Sequence, residues 1–271
     1  MIIGFPGARR IFFVVLLLLV CRSAINDSFG DSTVAFANPT ESTPPPVRIA
    51  LIIDDLGDVL KTGRRATALD GPVACAVLPY TPFARTIAEQ AHRAGKEVLL
   101  HLPLEPVEEV MLTNSGTIGL DVTQAQLIRI FESDMNSVPH VVGISNHMGS
   151  LLTQHPGHMQ WLMGAVKAHG GLFFVDSYTT AASVALQVAR EHGVPAIRRD
   201  VFLDTGPAAI DQEFQRLIER ARKNGVAVGI GHPYPETLQY LEQRLPGLRD
   251  EGIELVPIST LIGQMSGRVD Q

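Results

Sequence analysis

The sequence predicts an α/β protein built as a distorted (β/α) barrel of parallel strands. Three observations point to it. Eight short apolar runs recur along the chain, amphipathic stretches with helix punctuation lie between them, and Asp or His residues gather at one end of the runs.

The runs fall at about 48–54, 73–79, 97–101, 140–146, 172–176, 195–204, 226–231 and 253–258. Each is rich in Val, Ile, Leu or Phe and too short for a buried helix, which is the signature of a strand covered on both faces. Between them, "TPFARTIAEQAHRAGK", "DVTQAQLIRIFESDMNS" and "EFQRLIERARKNG" carry apolar residues at helical spacing. Thr81 with Pro82, and Asp121 or Thr123, read as helix starts; Asp58 reads as the cap of the first helix. Gly95, Gly170, Gly193 and Gly225 read as helix stops. Eight strands with short connections favour a barrel over an open doubly wound sheet.

The N-terminal segment obeys different rules. Arg9 and Arg10 precede "IFFVVLLLLV", a run too short to span a bilayer comfortably but suited to the core of an export signal. "AFAN" at 35–38 offers small residues for cleavage, Cys21 offers a lipoprotein site, and an uncleaved anchor is the third option. All three deliver the domain to the periplasm or cell envelope and confine membrane contact to this segment. Residues 1–37 are therefore expected to direct export, 38–47 ("NPTESTPPPV") to form a Pro-rich linker, and 48–265 to form the domain. Without residues 1–37 the chain keeps 22 − 3 = 19 basic and 28 − 2 = 26 acidic residues, a formal charge of −7. With no basic block longer than a pair, nucleic acid is excluded as a partner. Cys75 is then the only cysteine left; inside "VACAVL" it reads as a core thiol with no disulfide partner.

The strand ends carry the chemistry. The first run ends in Asp54-Asp55, the third in His101, the fourth in Asn146-His147, the fifth in Asp176, the sixth in Asp204 and the seventh in His232. In parallel α/β folds the carboxyl ends of the strands form the active face. A set of Asp and His with almost no Cys suits Zn²⁺ or another borderline divalent ion. Such an ion would let two adjacent carboxylates coexist, one binding it and the other acting as a base. "GISNH" lacks the closing glycine of a nucleophile elbow, and "GIGHPYPE" lacks the third glycine of a dinucleotide site.

In this order, "IIDDLG", "HLPLEP", "NHMGS" and "GIGHPYPET" resemble the divergent polysaccharide deacetylase family, a distant branch of the NodB-type carbohydrate deacetylases; the resemblance spans roughly residues 46–262. It implies a NodB-like fold and removal of acetyl groups from N-acetylated amino sugars of an acetylated polysaccharide or peptidoglycan-type glycan, with one divalent cation, Zn²⁺ by preference. By the same resemblance Asp54 is the general base, Asp55 and His101 are metal ligands, and His232 is the general acid. Where the wider group has a second histidine four residues after the first, this chain has Glu105. His147 is expected to supply the missing ligand from the next strand, with Glu105 as the alternative. Asn146, Asp176, Asp204, Arg199 and Asp200 are expected as outer partners. The group's Arg-Pro-Tyr motif has no counterpart, and the single tryptophan, Trp161, falls in a helix, so no aromatic wall is legible. The rival expectation is a non-catalytic envelope protein that uses the same cleft to bind glycan or a protein partner.

Overall fold

The computed structural model describes residues 47–108, 116–206 and 209–269. The expected export segment, and all of the linker but its last residue, lie outside the described residues. Among the described residues nine strands form one sheet: β1 (Val47–Leu56), β2 (Ala74–Val77), β3 (Val98–Leu104), β4 (Val141–Met148), β5 (Phe173–Asp176), β6 (Ala196–Arg198), β7 (Val201–Phe202), β8 (Val226–Gly231) and β9 (Ile253–Leu255). Eight α-helices accompany them among the described residues: α1 (Leu60–Ala68), α2 (Ala84–Arg93), α3 (Gln124–Ser137), α4 (Pro156–His169), α5 (Ala185–Glu191), α6 (Ile210–Asn224), α7 (Pro235–Arg244) and α8 (Ile258–Val269). None of the described helices is long and apolar enough to cross a membrane.

All pairings are parallel, in the order β6-β5-β4-β3-β2-β1-β8-β7, with β9 beside the start of β1. This is the distorted barrel the sequence predicts, with one correction. The run at 195–204 is not one strand: it breaks at Arg199-Asp200 into β6, which pairs β5, and β7, which pairs β8. The two sheet edges are thus joined by the chain instead of a hydrogen-bond ladder. Arg199 N donates to Asp176 O on one side and Asp200 N to Val228 O on the other.

Two layers of core follow from the alternation of strand side chains. Ile49, Leu51, Ile53, Val98, Leu100, Phe174 and Ala227 face the helices. Ala50, Ile52, Ala74, Ala76, Leu99, Val175, Val228 and Ile230 face inward, packed with Ile258, Leu261 and Ile262 of α8. Glu97 accepts from the Ile258 amide, fastening α8 beside the start of β3. Cys75 is fully buried, and burial pushes its thiol up to about 12, which leaves it an inert packing group.

Helix ends follow the sequence only in part. Thr123 caps α3 in a full capping box with Gln126. Thr81 does not start α2: its hydroxyl donates to Leu78 O, and the helix begins at Ala84 after Phe83. Asp58 is not the cap of α1 either; Val59 holds that position with no side-chain cap bond. At Thr81 the loop packs against the neighbouring one, Phe83 N donating to Gly57 O. Gly57 shows why. Its φ is +123°, and an added Cβ would lie 2.0 Å from Thr81 Oγ1, so the β1 and β2 loops interlock through its missing side chain. Gly57→Ala is expected to cost roughly 2–4 kcal/mol in chemical denaturation; a loss below about 1 kcal/mol would show that the two loops separate freely.

Candidate metal centre

On four strands the inward-facing column, read upward at period two, ends in a polar residue. Ala50 and Ile52 lead to Asp54, Leu99 to His101, Ser145 to His147, and Val228 and Ile230 to His232. His101 and Ser145 are register partners, and His101 Nδ1 shares a 2.8 Å hydrogen bond with Ser145 Oγ. That bond fixes the ring so that Nε2 faces the carboxylates. His101 lies inside β3 and His147 inside β4, since both strands run past the ends expected from sequence.

Adjacent strand residues should point to opposite faces, yet Asp54 and Asp55 meet at one place. Asp55 has φ +55°, and the β1–β2 register shifts between Ile53 and Leu56. This local left-handed turn swings Asp55 back over the barrel mouth. Tyr80, Met148 and Tyr178 also have positive φ, at or after the ends of β2, β4 and β5. Of the five described non-glycine residues in this conformation, four therefore lie on the same face, where backbone strain holds the loops in position.

Asp55 Oδ1 lies 2.8 Å from His147 Nδ1 and 3.1 Å from His101 Nε2. It is buried and makes a well-aligned hydrogen bond to neither. One carboxylate oxygen and two imidazole nitrogens within 4.8 Å of one another, aimed together but not bonded, fit a divalent cation with an open coordination position. Burial works against the charge on Asp55, but the two imidazoles outweigh it and hold the carboxyl well below the usual range. Asp54 is 1% exposed and 3.7 Å from His101 Nε2, and its Oδ1 has no hydrogen-bond partner. Burial, and then the charge of Asp55, raise its carboxyl, while the histidines oppose the shift.

His232 stands across the mouth, its Nε2 4.0 Å from Asp55 Oδ2. Its Nδ1 donates to Asp204 Oδ1 at 2.9 Å, and its backbone amide donates to Asp204 Oδ2 at 2.6 Å. Thr237 Oγ1 donates to the same oxygen. Burial depresses the imidazole, but the hydrogen bond and charge of Asp204 prevail and raise it. The remaining predicted residues stand back from the cluster. Glu105 Oε2 accepts from the Leu120 amide, and its carbonyl from those of Leu151 and Leu152, so it braces two loops. Asn146 ties Ser177 N to Met148 O. Asp176 accepts from Tyr178 N and Ser183 Oγ, and Asp200 from Val228 N. Arg199 donates to the carbonyls of Ser177 and Tyr178; burial lowers its guanidinium to about 10 despite nearby Asp176 and Asp54.

An aromatic flank, not legible in the sequence, stands beside His232. The Arg199 guanidinium lies 3.5 Å over Phe202, the Phe202 and His232 centroids are 5.9 Å apart, and those of His232 and Tyr234 are 5.5 Å apart.

A curled parallel sheet with an Asp-His-His cluster at its carboxyl end defines the deacetylase-like class of α/β barrels. Residues 51–262 match the family model described as divergent polysaccharide deacetylase, and the chain belongs to that family. It is similar to the uncharacterized protein YibQ of Escherichia coli K12, 37% identical over 240 residues, covering 87% of this chain and 74% of that one. An uncharacterized protein of Haemophilus influenzae is 34% identical over 245 residues, covering 90% and 85%. Among solved structures, the uncharacterized protein ATU2773 from Agrobacterium tumefaciens C58 shares the fold, with a TM-score of 0.76 and 24% identity over 82% of this chain and 92% of that one.

Proposed function

We propose that this chain is an exported, metal-dependent hydrolase that removes acetyl groups from N-acetylated amino sugars of a cell-envelope or extracellular polysaccharide. The observation that carries the reading is the meeting of Asp54, the Asp55-His101-His147 cluster and the Asp204-braced His232 at one barrel mouth. Family membership supports the reaction class. The apolar run after Arg9-Arg10 supports export.

Asp55, His101 and His147 would hold one divalent cation, and their mixed oxygen–nitrogen donor set suits Zn²⁺. Such an ion supplies Lewis acidity toward a carbonyl oxygen and lowers the pKa of water toward neutrality. Asp54, at the edge of the donor set, takes a proton from the attacking water as its oxygen bonds to the acetyl carbon. His232 Nε2 gives a proton to the sugar nitrogen as the C–N bond breaks, so acetate and a free amine leave. Asp204 on Nδ1 keeps the imidazole oriented and, by raising its pKa, protonated for that step.

Full-length protein purified without chelator is expected to carry one divalent ion per chain and to melt higher when loaded, because the ion binds only the folded state. Asp55→Ala and His147→Ala should each lose both the ion and the melting gain. Full metal stoichiometry in His147→Ala would remove it from the ligand set. Acetate release from N-acetylglucosamine oligomers tests the reaction itself.

A further inference from the structure

Exposed large apolar side chains are not spread evenly over the described surface. Of six, five (Val59, Tyr80, Val107, Met148 and Tyr234) lie at or after the carboxyl ends of β1, β2, β3, β4 and β8, around the metal cluster. They sit singly on separate loops, which does not make the continuous patch a protein partner would cover. Tyr234 differs from the rest in touching the site. Its ring packs 5.5 Å from that of His232 at 34°, forming the outer member of the row Arg199, Phe202, His232, Tyr234.

The backbone holds that ring in place. Tyr234 stands between Pro233 and Pro235, at φ −68° and ψ 144°, as the residue before α7, with Pro235 in the first turn of the helix. Proline fixes its own φ and restricts the residue before it, so the ring has little backbone freedom to lose on binding. Yet 52% of Tyr234 faces solvent, and its hydroxyl serves none of the site's hydrogen bonds described above. A rigid, half-exposed aromatic beside a proton donor leaves apolar surface uncovered unless a ligand uses it.

We infer that Tyr234 is a substrate-positioning residue, a platform on which the apolar face of a pyranose ring rests so that its acetamido group reaches the Asp54-Asp55 mouth. The inference rests on the proposed deacetylase reading, from which it takes the sugar. It adds the contact that selects a ring over a small free acetamide.

The test uses full-length protein, metal-loaded, and N-acetylglucosamine oligomers as the probe, with calorimetric titration beside steady-state kinetics. Tyr234→Ala is expected to weaken oligomer binding and raise KM by about fivefold to tenfold, with kcat and metal content close to wild type. Tyr234→Trp should retain or tighten binding, and its new indole should respond in fluorescence to the sugar. Binding and KM within twofold of wild type in Tyr234→Ala would overturn the platform while leaving the deacetylase reading intact. Wild type that binds oligomers without hydrolysing them, and loses binding in Tyr234→Ala, would keep the platform and sink the enzyme. Wild type that neither binds nor hydrolyses them would overturn both.

Discussion

Asp54→Asn is expected to lower acetate release by about 10²–10⁴ while leaving metal stoichiometry unchanged. The substitution is nearly isosteric, and Asp54 lies outside the three-residue donor set, so the cluster keeps its shape. What disappears is the ability to take a proton. The buried position of Asp54 makes this a sharp test: at 1% exposure it has no bulk water to compete as the acceptor. Its Oδ1 has no hydrogen-bond partner, so the amide breaks no such bond there. The same reasoning separates Asp54 from Asp55, whose replacement should cost the metal as well. Retained hydrolysis in Asp54→Asn would move the base elsewhere. No hydrolysis in metal-loaded wild type, with glycan binding retained, would favour the binding-protein reading and make Asp54 and His232 remnants of an older activity.

Much of this site was readable from residue order because barrel geometry converts strand ends into neighbours. The inward columns that finish in Asp54, His101, His147 and His232 obey a period of two, which any apolar strand reports once its face is known. Four features were not readable in full, each for a physical reason. The convergence of Asp54 with Asp55 depends on a left-handed backbone at a non-glycine residue, and composition gives no signal for that. Asp204 is legible as an outer partner, but its pairing with His232 in particular depends on where the 195–204 run breaks. That break places Arg199 against β5 and Asp200 against β8, a division that reflects two sheet edges and no local propensity. Glu105 sits in line with the expected ligands, and only tertiary contact shows its carboxylate turned to the Leu120 amide. Ser145, which orients His101, has no motif of its own and is found only through the β3–β4 register.

Stability should depend on pH through a residue remote from these motifs. Asp134, on α3, is 0% exposed, and neither carboxylate oxygen has a hydrogen-bond partner. Burial pushes its carboxyl up to about 8; the Tyr80 hydroxyl offsets part of this, although it is turned to Ser133 Oγ at 2.7 Å. Gly116 packs close to it, an added Cβ lying 2.6 Å from Asp134 Oδ1, and the two residues line an open cavity of about 340 Å³ with Tyr80, Gln126, Arg129 and Ser133. The sign follows from the raised value. Below the ordinary value of 3.8 both folded and unfolded chains hold the proton, and the group contributes nothing. Between 3.8 and about 8 the unfolded chain ionises while the folded one does not, so wild type loses stability as pH rises. Above about 8 both are ionised and the loss is constant. Asp134→Asn removes the ionisation but keeps the shape. Its stability relative to wild type should therefore climb by about 4 kcal/mol between pH 5 and pH 9 and level off at the top of that range. Urea titrations of both proteins across this range measure the difference, and the titrations of the distant metal cluster cancel between them. A difference that stays flat with pH would mean that Asp134 ionises freely in the fold, solvated from the cavity it lines with Tyr80 and Gly116.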